Sequence, residues 1–182
     1  QLKEAGQSIW YDNIQRGLLK NGALAGMIER GEIYGVTSNP TIFMNAIVKS
    51  NDYDDSLLPL VQAGLSNEEI FFHLAIEDIQ AAADLFRPLY EQTRGGDGYV
   101  SLEVSPYLAN DTGATVKQAK ELWQRVNRPN LMIKIPATPA GLPAITGAIA
   151  AGINVNVTLI FARERGLAVM DNTALTLCMD NA

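Results

Sequence analysis

One lysine and two acidic residues near the ends of strand-like segments could together carry out Schiff-base chemistry. Lys134 lies in the apolar stretch NLMIKIPAT (130–138), although lysine is among the residues least often buried. A lysine in a confined site loses part of its hydration, and its neutral amine can attack a carbonyl group to form a Schiff base. Two carboxylates must then move protons, and Glu103 and Asp12 are available for this. The set predicts cleavage of a carbon–carbon bond next to a former carbonyl group.

Each of these residues has a simpler interpretation when it is taken alone. A lone strand lysine is usually an exposed residue of an edge strand. Glu103 could be an ordinary ion-pair partner, Asn39-Pro40 is a turn signal, and Asn156 could face a loop. Only the joint pattern favours a catalytic site.

That joint pattern comes from side-chain alternation, which places polar groups on one face of each strand. In INVNVTLIF (153–161) the valines share one parity and the polar residues the other. The polar residues near strand ends are Asp12, Asn39, Glu103, Lys134, Asn156 and Thr158. Active sites of βα barrels lie at the carboxyl ends of the strands, so these side chains should meet there. Asn39 and Asn156 suit substrate hydroxyl groups.

The elements that must position this set alternate between strands and helices. The predicted strands are residues 8–12, 33–39, 99–104, 131–135 and 153–161. Four helices are predicted. The first covers Leu18–Ile28 and is ended by Gly31, and the second follows the capping box Ser66/Glu69 and ends near Pro88. The third covers 113–127 with Asp111 or Thr112 as its cap, and the fourth covers 139–151. Such alternation predicts an α/β fold with a parallel sheet. One apolar and one polar strand face favour a closed barrel over an open sheet.

Composition limits the function further. The chain has 182 residues and a net charge of −6, with scattered Lys and Arg, so nucleic acid is not an expected partner. No apolar run has the length of a membrane span, and no signal peptide is recognisable. One Cys and one His provide neither an internal disulfide nor metal-ligand spacing. We expect a cytoplasmic protein of one domain that acts on a small molecule without a metal.

Two long motifs resemble one known family. GVTSNPTIF (35–43) and LMIKIPATPAGLPAI (131–145) resemble the two signatures of the transaldolases, and SIWYDNI, VSLEVSP and INVNVTLIF agree in order and spacing. The resemblance covers about residues 7–170. The wording is most similar to the transaldolase subgroup that occurs alone or fused to a glucose-6-phosphate isomerase domain.

The resemblance implies a role for each site residue. Lys134 would form the Schiff base, Glu103 would act as acid and base through a bound water that Thr158 helps to hold, and Asp12 would deprotonate the hydroxyl at the cleaved bond. The residues implied to bind or support the substrate are Thr37, Asn39, Asn156 and Ser101. The implied reaction transfers a dihydroxyacetone unit from sedoheptulose 7-phosphate to glyceraldehyde 3-phosphate, with sugar phosphates as partners and no cofactor. The full-length protein could form a homo-oligomer or carry a fused isomerase domain.

The resemblance also implies a (β/α)8 TIM barrel of the class I aldolase type, of which this chain holds about five βα units. We therefore expect residues 1–182 to form a partial barrel, with 171–182 a non-native or disordered tail. Open sheet edges should leave little activity in this chain. Two alternatives stay open at this stage. One is another Schiff-base aldolase, acting on free dihydroxyacetone or deoxyribose phosphate, and the other is an inactive half-barrel that serves as a binding module.

Overall fold

The structure is a computed structural model that describes residues 2–179, with side chains in the last helix described only as far as Thr173. Its strands are β1 (Trp10–Tyr11), β2 (Gly35–Val36), β3 (Tyr99–Glu103), β4 (Leu131–Pro136) and β5 (Val155–Thr158). Its helices are α1 (Arg16–Lys20), α2 (Ala23–Glu29), α3 (Pro40–Lys49), α4 (Asp54–Gln62), α5 (Asn67–Gln92), α6 (Thr112–Val126), α7 (Gly141–Ala150) and α8 (Arg163–Met179). A short 3-10 helix, Pro106–Leu108, follows β3.

The chain folds as two compact units. The first comprises residues 1–100 with 128–130, and the second comprises residues 101–127 with 131–182. In each unit the strands follow the order of the chain, β1-β2-β3 in the first and β3-β4-β5 in the second. β3 appears in both because residues 99–100 belong to the first unit and residues 101–103 to the second. The described pairs β1–β2, β2–β3 and β4–β5 are parallel. Five parallel strands that alternate with helices confirm the predicted partial (β/α)8 barrel.

Each unit has its own buried apolar residues. In the first unit α5 presents one stripe, with Leu74, Ile79 and Phe86 fully buried along it. In the second unit, Ile133 and Ile135 of β4 are fully buried, as the predicted alternation requires. Met132 and Lys134, which alternate with these buried residues, are half-buried. β4 therefore keeps one dry face and leaves the other for polar groups.

Local signals set the helix starts. Ser66 and Glu69 form the predicted capping box at the start of α5, and each side chain bonds to the backbone N–H of the other. The predicted cap of α6 is confirmed, since Asp111 Oδ1 accepts the Ala114 N–H at 2.9 Å. These caps satisfy backbone donors that the helix itself cannot pair.

Two predicted helix boundaries were wrong. The helix expected over Leu18–Ile28 is divided into α1 and α2 at Gly22, whose φ of 77° lies in the left-handed region. The helix expected to end near Pro88 continues to Gln92. Pro88 is exposed, so the carbonyl that loses its helical partner there can face solvent.

The end of the chain was predicted to be a non-native or disordered tail from residue 171. α8 extends through Met179, and residues 180–182 lie outside the described residues. The non-native character of the tail stays a prediction. None of the helices described for residues 2–179 combines the length and apolar character that a membrane span requires.

Candidate active site

The centre of the site is an amine next to a carboxylate in the second unit. Lys134 Nζ lies 3.3 Å from Glu103 Oε2, and the two side chains are only 13% and 15% exposed. Lys134 stands near the carboxyl end of β4, and Glu103 is the last residue of β3. Sequence alternation predicted that both would lie on the polar face, and their contact agrees with that. An amine and a carboxylate at this distance can exchange a proton.

A second polar pair lies beside the first. Asn156 Nδ2 donates to Ser101 Oγ at 3.2 Å, and Ser101 is fully buried. Asn156 of β5 is in register with Lys134 of β4, so the two side chains emerge from the same face of neighbouring strands. The second unit therefore brings together four of the predicted residues: Ser101, Glu103, Lys134 and Asn156.

Backbone pairing fixes where these strand ends lie. The Val104 N–H donates to the Lys134 carbonyl at 3.2 Å, and the Ala137 N–H donates to the Thr158 carbonyl at 2.8 Å. Thr158 is the last residue of β5, in register with Pro136. The predicted role of its hydroxyl, to hold a water molecule, stays a prediction.

The loops after β3 and β4 are joined through Thr138. Its hydroxyl donates to the Ala109 carbonyl at 2.5 Å and accepts the Gly141 N–H at 2.9 Å. A side chain at Gly141 would overlap the Pro136 carbonyl oxygen, so only glycine lets α7 begin this close to β4. These two hydrogen bonds hold together the chain segments that follow Glu103 and Lys134.

The first unit carries the other three predicted residues. Asp12 follows β1 and is exposed, and Thr37 follows β2, where its N–H donates to the Tyr11 carbonyl at 3.0 Å. Asn39 is the N-cap residue just before α3, and its Oδ1 accepts the Ile42 N–H at 2.9 Å. The sequence predicted Asn39 as a substrate ligand, with a turn at Asn39-Pro40 as its simpler interpretation. In the structure its amide oxygen caps a helix, and its amide nitrogen can donate to a substrate hydroxyl.

Sequence reasoning missed a buried ionic network in the first unit. Arg16 Nε donates to Asp78 Oδ1 at 2.8 Å, and the Tyr53 hydroxyl donates to Asp78 Oδ2 at 2.7 Å. Burial raises the pKa of Tyr53 above its usual value, which keeps the hydroxyl protonated as the donor. One signal was present, because Asp78 interrupts the apolar stripe of α5. The lone Arg16 offered none, since its partner lies 62 residues further along the chain.

The polar groups described here contain no metal-binding cluster. Within the part of the chain that the structure describes, no three His, Cys, Asp or Glu side chains gather closely enough to hold an ion. The chemistry these side chains can provide is that of an amine, a carboxylate and amide or hydroxyl hydrogen bonds.

Comparison with known proteins identifies relatives of almost the whole chain. The profile of a family described as Transaldolase/Fructose-6-phosphate aldolase matches residues 9–178. The chain is 55% identical to a transaldolase from Thermobifida fusca over 171 residues, which are 94% of this chain and 46% of that protein. It is 50% identical to a transaldolase from Thiobacillus denitrificans, over 93% of this chain and 47% of that protein. The chain spans about half the length of the curated relatives it matches.

Proposed function

We propose, since the chain belongs to the transaldolase/fructose-6-phosphate aldolase family, that it provides the Schiff-base half of a transaldolase site. The observation that carries the proposal is the contact of Lys134 with Glu103 at 3.3 Å. The reaction is transfer of a dihydroxyacetone unit from sedoheptulose 7-phosphate to glyceraldehyde 3-phosphate. Its products are erythrose 4-phosphate and fructose 6-phosphate.

Bond formation begins at Lys134. Its amine attacks the carbonyl carbon of the ketose phosphate, and water leaves the carbinolamine to give a protonated imine. Glu103 supplies and removes the protons of this step, acting through a water molecule that Thr158 helps to hold. The position of Glu103 next to the amine supports this role.

Bond cleavage needs a second carboxylate. Asp12 takes the proton of the hydroxyl on the far carbon of the cleaved bond, and that carbon leaves as the aldehyde. The electron pair of the broken bond forms the carbon–carbon double bond of an enamine, and the iminium nitrogen becomes neutral. The acceptor aldehyde then reverses these steps. We assign Thr37, Asn39 and Asn156 to the substrate hydroxyls, with Ser101 orienting Asn156, as their hydrogen bond of 3.2 Å supports.

We further propose that the protein belongs to the transaldolase subgroup that occurs alone or fused to an isomerase domain, and that it works in the cytoplasm, where sugar phosphates are made and used. A homo-oligomer and a fused isomerase domain stay predictions for the full-length protein. We also propose that this chain alone turns over slowly. Apolar side chains just beyond β5 support this, because Leu159 is 53% and Phe161 88% exposed.

Borohydride trapping tests the proposed function. The chain is incubated with fructose 6-phosphate, reduced with borohydride and digested. The mass of the peptide that contains Lys134 is then measured by mass spectrometry. The sugar mass on Lys134 is the expected result. An unmodified Lys134, with a full-length relative trapped in parallel, would contradict it. Parallel trapping with free dihydroxyacetone and with deoxyribose phosphate separates a transaldolase from other Schiff-base aldolases. Normal turnover by a monomer in a coupled assay would overturn the expectation of slow turnover.

A further inference from the structure

The buried network around Arg16 has no part in the proposed chemistry, yet it lies four residues beyond Asp12. The Arg16 side chain is 8% exposed and that of Asp78 is 3% exposed. Its guanidinium donates to Ser56 Oγ at 2.8 Å and to Glu77 Oε2 at 2.7 Å, in addition to Asp78. It also stacks 4.5 Å from the centre of the Tyr53 ring. This one side chain therefore joins α1 to residues of α4 and α5.

Buried ion pairs seldom persist for stability alone. Removing two charges from water is expensive, and a well-packed apolar replacement is often as stable. What a fully bonded guanidinium adds is direction, because its planar fork fits only one arrangement of acceptors. The network thus specifies where the first residue of α1 lies.

The segment between β1 and α1 is held at both of its ends. At one end, the Tyr11 carbonyl accepts the Thr37 N–H at 3.0 Å. At the other, the Arg16 N–H donates to the Tyr53 hydroxyl at 3.2 Å. Ile14 is buried between them at 1% exposure, whereas Asp12 is exposed. A short loop with fixed ends and a buried middle has a restricted backbone, and this fixes the point from which the Asp12 side chain extends.

We propose that Arg16 is a positioning residue for Asp12: it locks the first turn of α1 against α4 and α5 and so fixes the loop on which Asp12 stands. The inference rests on the proposed role of Asp12 in carbon–carbon cleavage. Formation of the Schiff base at Lys134 does not need Asp12. Disturbing the Arg16 network should therefore slow cleavage and leave trapping almost unchanged, which a general loss of structure would not do.

Two variants of the whole chain test the proposal. Tyr53→Phe keeps the ring and removes the hydroxyl that binds both Arg16 and Asp78. Arg16→Lys keeps the charge and removes the fork. The matched control is Arg128→Lys, which makes the same change in an exposed pair of the same unit, where Arg128 binds Asp84 at 2.6 and 2.9 Å. Circular dichroism establishes that each variant is folded.

Two measurements are made on each variant. Hydrogen exchange should accelerate in residues 12–19 and stay as in the wild type around Lys134. With fructose 6-phosphate in a single turnover, trapping at Lys134 should change less than about twofold, while aldehyde release falls about tenfold or more, as expected when a reacting group is misplaced. Arg128→Lys should alter neither measurement.

Other outcomes overturn the proposal. Unchanged exchange in residues 12–19 would show that the network does not hold this loop. Arg16 would instead support the whole unit if trapping at Lys134 and aldehyde release fell by the same factor. Loss of fold in both variants would lead to the same conclusion. If the wild-type chain is not trapped at all, the proposed function fails, and the exchange measurement alone then decides whether Arg16 anchors the loop.

Discussion

Arg16–Asp78 in the first unit and Lys134–Glu103 in the second are both pairs of a cation and a carboxylate, but their roles differ. Arg16 is held by several acceptors at 2.7–2.8 Å and lies almost entirely out of solvent. Lys134 Nζ lies 3.3 Å from the Glu103 carboxylate, and its side chain is 13% exposed. A guanidinium stays charged and suits a fixed fork of acceptors, whereas an amine can lose its proton and act as a nucleophile. The comparison shows that a buried charge can hold neighbouring segments in place, as Arg16 does, or react, as Lys134 can, and only a group that can lose its proton can react as a nucleophile.

The largest expected effect on Schiff-base formation, and the strongest test of this comparison, is at Lys134. Lys134→Arg keeps a cation beside Glu103 but removes the nucleophilic amine. Trapping with fructose 6-phosphate should disappear completely, with the far-ultraviolet circular dichroism unchanged. Mass spectrometry of the reduced, digested chain measures the loss. A sugar adduct on another lysine would show that the nucleophile was wrongly assigned.

Glu103 should show the next largest effect. Glu103→Gln keeps the shape of the side chain and removes its proton transfer, so the rate of Schiff-base formation should fall about a hundredfold or more. The rate is followed by quenching the reaction with borohydride at successive times. The control is Glu121→Gln, which removes the charge from the exposed pair with Arg125 and should leave the rate unchanged. An equal fall in both variants would point to net charge instead.

Stability should separate the two pairs. Arg16→Met leaves Asp78 buried without its cation and should cost about 3–5 kcal/mol of unfolding free energy, as for other broken buried pairs. Equilibrium unfolding in urea measures this cost. Lys134→Arg, which preserves its pair, serves as the reference and should unfold near the wild-type midpoint. A small cost for Arg16→Met would mean that the network relaxes or admits water.

The smallest effect concerns an exposed arginine–aspartate pair. The hydrogen bond from Arg128 lowers the pKa of the Asp84 carboxyl below its ordinary value of 3.8. A depressed pKa contributes stability above the ordinary value, and that contribution is lost as the pH falls through the folded-state value. Asp84→Asn should therefore cost about 0.5 kcal/mol or less near neutral pH, and the two proteins should converge in strong acid. Urea unfolding at several pH values gives the difference, and a constant difference at all pH values would exclude this origin.

Much of the fold was readable from the sequence because its signals are local. Alternation in LMIKI placed Ile133 and Ile135 inside and Lys134 on the polar face, and the structure confirms this. The Ser66/Glu69 box is a contact between near neighbours and was equally visible. The boundary at Pro88 was wrong, because a proline breaks a helix only where the lost hydrogen bond cannot be replaced, and exposure depends on packing.

The sequence by itself determined the alternation of strands and helices, the face on which Lys134 emerges and the family to which the chain belongs. These follow from periods of two and 3.6 residues and from contiguous motifs. Only the tertiary structure decided that Arg16 meets Asp78 across 62 residues and that Thr138 joins two loops. Such contacts depend on how separate segments pack, and no local pattern in the chain encodes a distance between residues so far apart.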